Sequence, residues 1–277
     1  IIIKNFKPDI VHTHAAKAGL LGRFCYFFCD AKFIHSYHGN IFDGYFSSFK
    51  NKLIILVERF LALNTDLILA LSSSQKSDLV EKYKICNLKK IKVLPIGLDL
   101  DKFINLKTQK RNNYRRKLCI DDNVSLISII GRIVPIKNHK LFIDSFLYCK
   151  NKLDKNIKAV IVGDGSETQK MIDYSIENKL NVCYKINDLD FDIFFSSWMT
   201  DVTDIIAASD VVVLTSLNEG TPVSIIEAMA GSKACVSTNV GGVSDIIENN
   251  SDGIISSSNP IDFGKSIIKI ISDPVFK

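Results

Sequence analysis

Apolar positions along this chain follow two rhythms that alternate from one end to the other. Short runs rich in Ile, Val and Leu predict strands buried on both faces, at 9–14, 32–38, 66–72, 90–96, 124–131, 159–162, 211–215, 234–238 and 253–256. Between them lie amphipathic stretches. These predict helices over 16–29, over 50–64 with apolar residues at 53, 56, 57, 60, 61 and 63, over 74–84, and between the later strands. Such strands, spaced by such helices, predict parallel sheets covered on both sides.

Pro95-Ile96-Gly97 interrupts the rhythm. Residues 97–123 are charged and irregular, with a strongly basic run at 110–117, and they read as a linker. The strand–helix alternation restarts at Val124. The expected fold is therefore α/β, with two doubly wound Rossmann-like domains whose parallel sheets face a central cleft. The first spans 1–105 and is incomplete at its start; the second spans 106–277 and is incomplete at its end. Ligands of such folds sit at the carboxyl ends of strands, and between two domains the cleft is the expected site.

Composition narrows the class. The chain has 277 residues, 47% hydrophobic and 23% charged, which suits a packed globular protein and excludes a disordered one. No apolar run approaches the ~20 residues of a membrane span. Ile1–Ile3 is followed at once by Lys4 and Asn5, so it is neither a span nor a signal peptide. The absence of an initial Met, so close to the first strand, suggests a start inside a longer protein.

The net charge of +5 is uneven: residues 1–110 hold 17 Lys+Arg against 9 Asp+Glu, and residues 111–277 hold 18 against 21. A basic first half suits contact with an anionic membrane or a phosphorylated acceptor; it equally suits a solvated Lys-rich surface. Nucleic acid is not an expected partner, because no aromatic platform is interleaved with the basic residues. Seven scattered cysteines without a CxxC pair suggest reduced, buried thiols in a cytoplasmic protein. The five histidines form no HExxH, and no metal is expected.

The candidate chemistry centres on residues 211–227. A buried strand, Val211–Ser216, runs into Leu217-Asn218-Glu219-Gly220-Thr221-Pro222 and then a helix containing Glu227. Proline in a first helical turn sacrifices no needed hydrogen bond. Gly220 lets backbone approach a ligand closely. The free N–H groups of the first turn, with the helix dipole, attract phosphate or sugar oxygens. Glu219 and Glu227 can address two parts of one extended ligand, because carboxylates accept sugar and ribose hydroxyls strongly. The same residues also fit a plain helix start with acids complementing its dipole.

Glu219-x7-Glu227 after a strand resembles the family-4 retaining glycosyltransferases (glycosyl transferases group 1, GT-B fold) of the bacterial surface-polysaccharide type. Gly131-Arg132-Ile133-Val134-Pro135-Ile136-Lys137 resembles that family's phosphate-binding Gly-Arg-x4-Lys. Val162–Glu167, Ala207–Ser216, Glu227–Gly231 and Asn239–Val243 also fit, as do Lys7–His14, Tyr37-His38-Gly39, Thr65-Asp66 and Pro95–Asp99. The stretch His35–Phe46 is similar to bacterial members.

The resemblance implies the following roles. Arg132 and Lys137, after Gly131, grip the donor diphosphate; both also fit plain surface cations. Glu227 binds the ribose. Glu219 and the backbone of Gly220, Thr221, Pro222 and Val223 hold the transferred sugar. His38 faces the donor from the first domain; without the resemblance it reads as a structural histidine. His14 and Lys17 meet the acceptor, or merely sit in a solvated loop. Catalytic weight falls on His38 and Glu219.

The implied activity moves a sugar from a UDP- or GDP-sugar, with retained configuration and no divalent metal, to a glycan or polyprenyl-linked acceptor. The implied place is the cytoplasm, at the inner face of the cytoplasmic membrane. Two other readings stay open: a GT-B sugar-nucleotide epimerase, and a non-catalytic fragment that binds nucleotide sugar.

The chain also departs from the family pattern. Asn138 replaces the usual Gly after the Lys and is expected to cap the next helix. Ser196-Ser197-Trp198 lacks a Gly before the Trp, and Lys185–Phe195 looks displaced, which leaves the base open. The family's opening strand and glycine-rich loop belong before Ile1, and its closing helix after Lys277.

Overall fold

The computed structural model describes residues 2–39, 42, 48–106, 108–153, 156–184 and 190–273. The chain divides into two compact units. One comprises Ile1–Gly97, Asn218–Thr221 and Val240–Asp245; the other comprises Leu98–Leu217, Pro222–Asn239 and Ile246–Lys277.

The first unit holds four parallel strands, β1 (Ile10–His14), β2 (Lys32–Ser36), β3 (Leu67–Ala70) and β4 (Ile91–Val93), in the order β1-β2-β3-β4. Each connection steps the same way across the sheet, so the common crossover hand puts the connecting helices on one face. Two of these helices, Ala16–Phe24 and Ser48–Leu63, meet through a buried ion pair. Arg23 Nη2 donates to Glu58 Oε2 at 2.6 Å, and Tyr37 Oη donates to the same oxygen at 2.5 Å. Arg23 Nε donates to Gly19 O.

Burial, followed by the Glu58 charge, pushes the Tyr37 hydroxyl well above its ordinary pKa. His35 lies beside them, across from Thr13 in the β1–β2 register. Burial, and then the Arg23 charge, brings its pKa down to about 3, so its ring is neutral.

The helix Ser48–Leu63 carries two apolar arcs. Ile54, Ile55, Leu61 and Ala62 pack toward the core. Leu53, Leu56, Val57, Phe60 and Leu63, five of the six apolar positions noted in the sequence, are exposed at 36–71%. Much of the His35–Phe46 stretch (40, 41 and 43–46) lies outside the described residues.

The second unit holds seven parallel strands: β5 (Ser125–Ile130), β6 (Ile157–Val162), β7 (Val182–Cys183), β8 (Ile193–Ser196), β9 (Val211–Leu214), β10 (Ala234–Thr238) and β11 (Ile254–Ser256). Their order is β11-β10-β9-β5-β6-β8-β7. Alternate residues feed two cores. Ile127 and Ile129 of β5 join Phe142, Phe146 and Phe263 on one face, while Leu126 joins Tyr114, Phe194 and Ile205 on the other. β7 and β8 were not expected as strands; β7 spans only two residues, whereas β8 is as long as β9. Of the segment expected to be displaced, residues 185–189 lie outside the described residues and Ile193–Phe195 falls within β8.

The expected linker over 97–123 is corrected by the structure. Thr108–Lys117 is a helix packed on Thr203–Ala208. Arg111 and Arg115, one turn apart, share a helix face. Arg111 Nη2 donates to Asp210 Oδ1 at 2.8 Å, and buried Arg115 donates to the Ala208, Asp121 and Val124 carbonyls. Asp210 Oδ2 also accepts from Leu126 N at the start of β5. Arg111 and Arg115 therefore close the carbonyl ends of neighbouring elements, while Arg116 and Lys117 stay exposed.

The expectation of buried thiols also needs correction. All seven cysteines are free, yet only Cys149, Cys183 and Cys235 are buried. Cys119 is exposed because it occupies the left-handed turn (φ 51°) that ends the Thr108–Lys117 helix.

Candidate active site

In the second unit the chain leaves β5 toward β6 on one side and later returns to β9 on the other. The strand order reverses between β5 and β9, which is where parallel α/β sheets open a ligand crevice at their carboxyl ends. Those two ends carry Gly131–Lys137 and Thr215–Leu217.

The first of these loops is fixed by backbone bonds: Gly131 N to Val162 O and Ile133 N to Asp164 O, both 2.9 Å, followed by a 3₁₀ turn over Pro135–Lys137. It is tied to the β9 end by Leu217 N to Ile136 O at 2.8 Å and by Thr215 Oγ1 to Lys137 O at 3.0 Å. Thr238 Oγ1 of β10 donates to Ser216 O at 2.7 Å. Arg132 is exposed and Lys137 half-buried.

Asn138 does not cap the helix His139–Lys152 with its side chain. Its left-handed backbone (φ 49°) departs from the extended geometry that side-chain capping requires. His139, the first residue of that helix, is buried, and neither ring nitrogen has a partner among the described residues. Burial and then the Lys137 charge lower its pKa to about 4. Although it directly follows the Lys137 loop, His139 had no sequence signal beyond its position.

The helix after β9 spans Val223–Ala230. Pro222 stands at its N-cap position, and its carbonyl accepts from Ile225 N and Ile226 N at 3.0 and 3.2 Å. Glu227 is half-buried on this helix. Burial raises its carboxyl pKa, and Lys102 opposes the rise. Lys102 belongs to a short helix, Asp101–Ile104, inside the segment that reads as a linker, so nothing in the sequence linked it to Glu227.

A raised folded-state pKa means that ionised Glu227 costs stability above the ordinary carboxylate range. Glu227→Gln is therefore expected to raise the melting temperature by ~1–2 °C at pH 7. The gain should vanish below about pH 4, where both states are neutral. Differential scanning calorimetry at both pH values checks the sign, and a lower melting temperature for the variant at pH 7 would contradict it.

The remaining site residues belong to the first unit. Asn218–Thr221 leaves the β9 end to join it, and Val240–Asp245 leaves the β10 end to do the same. Gly220 is buried against His38 and Gly39: a Cβ there would lie 2.5 Å from His38 O. Gly241 has φ +52°, and a Cβ on it would lie 1.8 Å from Glu219 O. Gly242 N donates to Gly220 O at 3.1 Å, and Asp245 Oδ2 accepts from Ser73 N at 2.5 Å. The backbone carrying Glu219 and Gly220 is thus held between 38–39 on one side and 241–242 on the other.

Thr221 Oγ1 is buried and has no hydrogen-bond partner in the described structure. An unpaired buried hydroxyl is costly, so its position suits a ligand oxygen. The Nδ1 of His14, the residue expected on the acceptor side, lies 2.8 Å from His38 Nε2. Lys17 is exposed in the first turn of the helix Ala16–Phe24.

The structure thus groups Gly131, Arg132, Lys137, Pro222, Val223 and Glu227 in one unit. It groups His14, Lys17, His38, Glu219, Gly220 and Thr221 in the other.

Residues 110–277 match the family model described as Glycosyl transferases group 1, and residues 1–102 match that described as Glycosyltransferase Family 4. The chain is 31% identical to a UDP-Gal:alpha-D-GlcNAc-diphosphoundecaprenol alpha-1,3-galactosyltransferase of Escherichia coli; the match covers 99% of this chain and 69% of the relative. An uncharacterized glycosyltransferase of Methanocaldococcus jannaschii is 28% identical, over 86% of this chain and 57% of its own length. Among solved structures, HepE from Anabaena in complex with UDP superposes with a TM-score of 0.83 at 20% identity, covering 99% of this chain and 71% of that one.

This chain belongs to the group 1 glycosyl transferases, the EC 2.4 class of enzyme. Its two Rossmann-like parallel sheets are those of the GT-B fold.

Proposed function

We propose that the protein transfers a sugar from a UDP-sugar to a polyprenyl-diphosphate-linked glycan, with retention of configuration, in surface-polysaccharide or glycolipid assembly. The observation that carries this reading is the meeting of the Gly131–Lys137 loop and the β9 end at the strand-order reversal. A cationic loop and a helix start at that point suit a nucleoside diphosphate. The E. coli relative is named for a UDP-Gal donor and an undecaprenol-linked acceptor, and the HepE structure contains UDP. GDP-sugar is the alternative donor to be tested beside it. Neither epimerisation nor binding without turnover is favoured by these relatives.

In this reading residues 106–277 form the donor domain and 1–105 the acceptor-side domain. Arg132 and Lys137 hold the two phosphates, and Glu227 accepts from the ribose hydroxyls. Glu219, with the backbone of Gly220, Thr221, Pro222 and Val223, orients the sugar, and His38 faces it. The bond between the anomeric carbon and the diphosphate oxygen breaks, and its electron pair leaves with the nucleotide. The acceptor hydroxyl oxygen bonds to the same face of that carbon, and its proton passes to the departing phosphate oxygen. Arg132, Lys137 and the helix start near Val223 meet the charge that develops on the diphosphate, so no divalent metal is required.

The test is nucleotide release by the full-length protein with a panel of UDP- and GDP-sugars and polyprenyl-linked acceptors, with and without EDTA. Release from one UDP-sugar that needs acceptor and resists EDTA, with an α-configured product by NMR, is the expected result. Absence of release from every donor would overturn the reading.

In this reading the transfer takes place at the cytoplasmic face of the membrane. No helix among the described residues is long and apolar enough to cross a bilayer. Peripheral contact is supported by the basic excess of residues 1–110 and by the exposed stripe Phe49, Leu53, Leu56, Phe60 and Leu63 beside Lys50 and Lys52. Full-length protein should co-sediment with phosphatidylglycerol vesicles and not with phosphatidylcholine vesicles. Leu56→Glu/Phe60→Glu should abolish this; unchanged sedimentation would refute the contact.

A further inference from the structure

Three histidines gather at the carboxyl end of β1 and just beyond β2. His12 and His14, two residues apart on β1, project from the same face of the strand. His12 Nε2 lies 2.8 Å from Ser36 Oγ, and its ring centroid is 4.2 Å from that of His14. His14 Nδ1 in turn lies 2.8 Å from His38 Nε2, with the two rings nearly parallel and 5.0 Å apart. His38 is therefore held twice: its carbonyl packs against Gly220, and its ring is bound by His14.

We infer that His14 is a positioning residue that fixes the tautomer and orientation of His38, rather than a residue that contacts the acceptor. The chemistry is that of a single proton between two nitrogens. A hydrogen bond from Nδ1 of one ring to Nε2 of the other requires a proton on one of these atoms and a lone pair on the other. Whichever atom carries it, His38 Nε2 is committed to His14. Nδ1 of His38 then takes the opposite character, accepting when Nε2 donates to His14 and donating when Nε2 accepts, so the state of the His14 ring selects the His38 tautomer.

His14 and His38 are both exposed, so the restraint on the His38 ring comes from this hydrogen bond and from the packing of its own backbone against Gly220. His12 supports the arrangement from below. Burial, then the neighbouring His14 and His38, lower its own pKa. The inference rests on the reading of His38 as the residue that faces the donor sugar, but its structural part can be measured without substrate.

The experiment uses full-length protein labelled with ¹⁵N-histidine. In the wild type the two His38 nitrogens should show the shift pattern of one tautomer. In His14→Ala they should average toward a mixture, and in His14→Asn, whose amide sits where Nδ1 was, the single pattern should return. His14→Gln places its amide at the Nε2 position and should not restore it. Unchanged His38 shifts in His14→Ala overturn the inference.

In turnover, His14→Ala should lower kcat about 10- to 100-fold with an unchanged KM for acceptor, and His14→Asn should recover most of it. A raised acceptor KM with intact kcat would instead restore the acceptor-contact reading and sink this one. His14→Ala should have no further effect in a His38→Ala background; a further loss there would also count against it. Should His38→Ala alone keep full activity, the proposed site fails, while the nitrogen shifts still decide what His14 does.

Discussion

Lys137→Ala is expected to lower kcat/KM for the nucleotide sugar by about 10²–10³-fold while leaving the protein folded. The asymmetry follows from how the lysine is held. Its backbone serves the fold through the 3₁₀ turn Pro135–Lys137 and through the carbonyl that accepts from Thr215 Oγ1. Alanine keeps both. What is lost is a half-buried ammonium beside Gly131, at the reversal of strand order. A cation preset where a diphosphate departs acts mainly on the transition state, so the loss should fall on kcat more than on KM. Single-turnover nucleotide release by wild type and variant measures it. A loss below tenfold would remove Lys137 from the diphosphate. Arg132, which is exposed, should show a smaller effect that is more sensitive to salt.

The second large effect concerns stability. Glu58→Ala is expected to destabilise the protein by about 3–5 kcal/mol, because it strands a buried guanidinium. Arg23 and Glu58 are 2% and 3% exposed, and Arg23 Nη1 already lacks a partner. Removing the carboxylate takes away the acceptor of Arg23 Nη2 and of the Tyr37 hydroxyl together. Neither donor can reach water without opening the packing between the Ala16–Phe24 and Ser48–Leu63 helices. Removing both charges should behave differently. Arg23→Met/Glu58→Leu replaces the pair by apolar groups of similar length, and it should recover most of the loss. Urea denaturation of the three proteins decides this. A double variant as unstable as Glu58→Ala would show that the cost lies in side-chain shape rather than in the unpaired charge.

How far the chain could be read depended on the range of the interactions. The strand–helix alternation was legible because each buried parallel strand is a short apolar run that declares itself locally, as Val211–Leu214 and Ala234–Thr238 do. The Thr108–Lys117 helix was not. Its sequence is almost wholly polar, and two of the partners that hold it, Ala208 and Asp210, lie more than ninety residues away. Residues 97–123 therefore looked like a linker. The loop at Gly131–Lys137 and the turn at Glu219–Pro222 were legible as compact motifs, each written in one stretch of chain. The link between His14 and His38 was hidden because it joins the ends of two neighbouring strands, and nothing in either segment requires the other. Lys102 near Glu227 was hidden for the same reason.

The turn at 218–221 has an implication for attempts to re-engineer what the enzyme accepts. Its backbone shape is not its own property: His38–Gly39 presses on it from one side, and Gly241–Gly242 closes on it from the other with no room for a methyl group. Swapping residues 217–222 alone from a relative with another donor would seat a foreign loop in a mould cut for this one. The transferable part is a set of three distant segments, 37–39, 217–222 and 239–243. A chimera carrying all three should inherit the sugar preference of its parent, whereas a single-segment graft should inherit only the misfit.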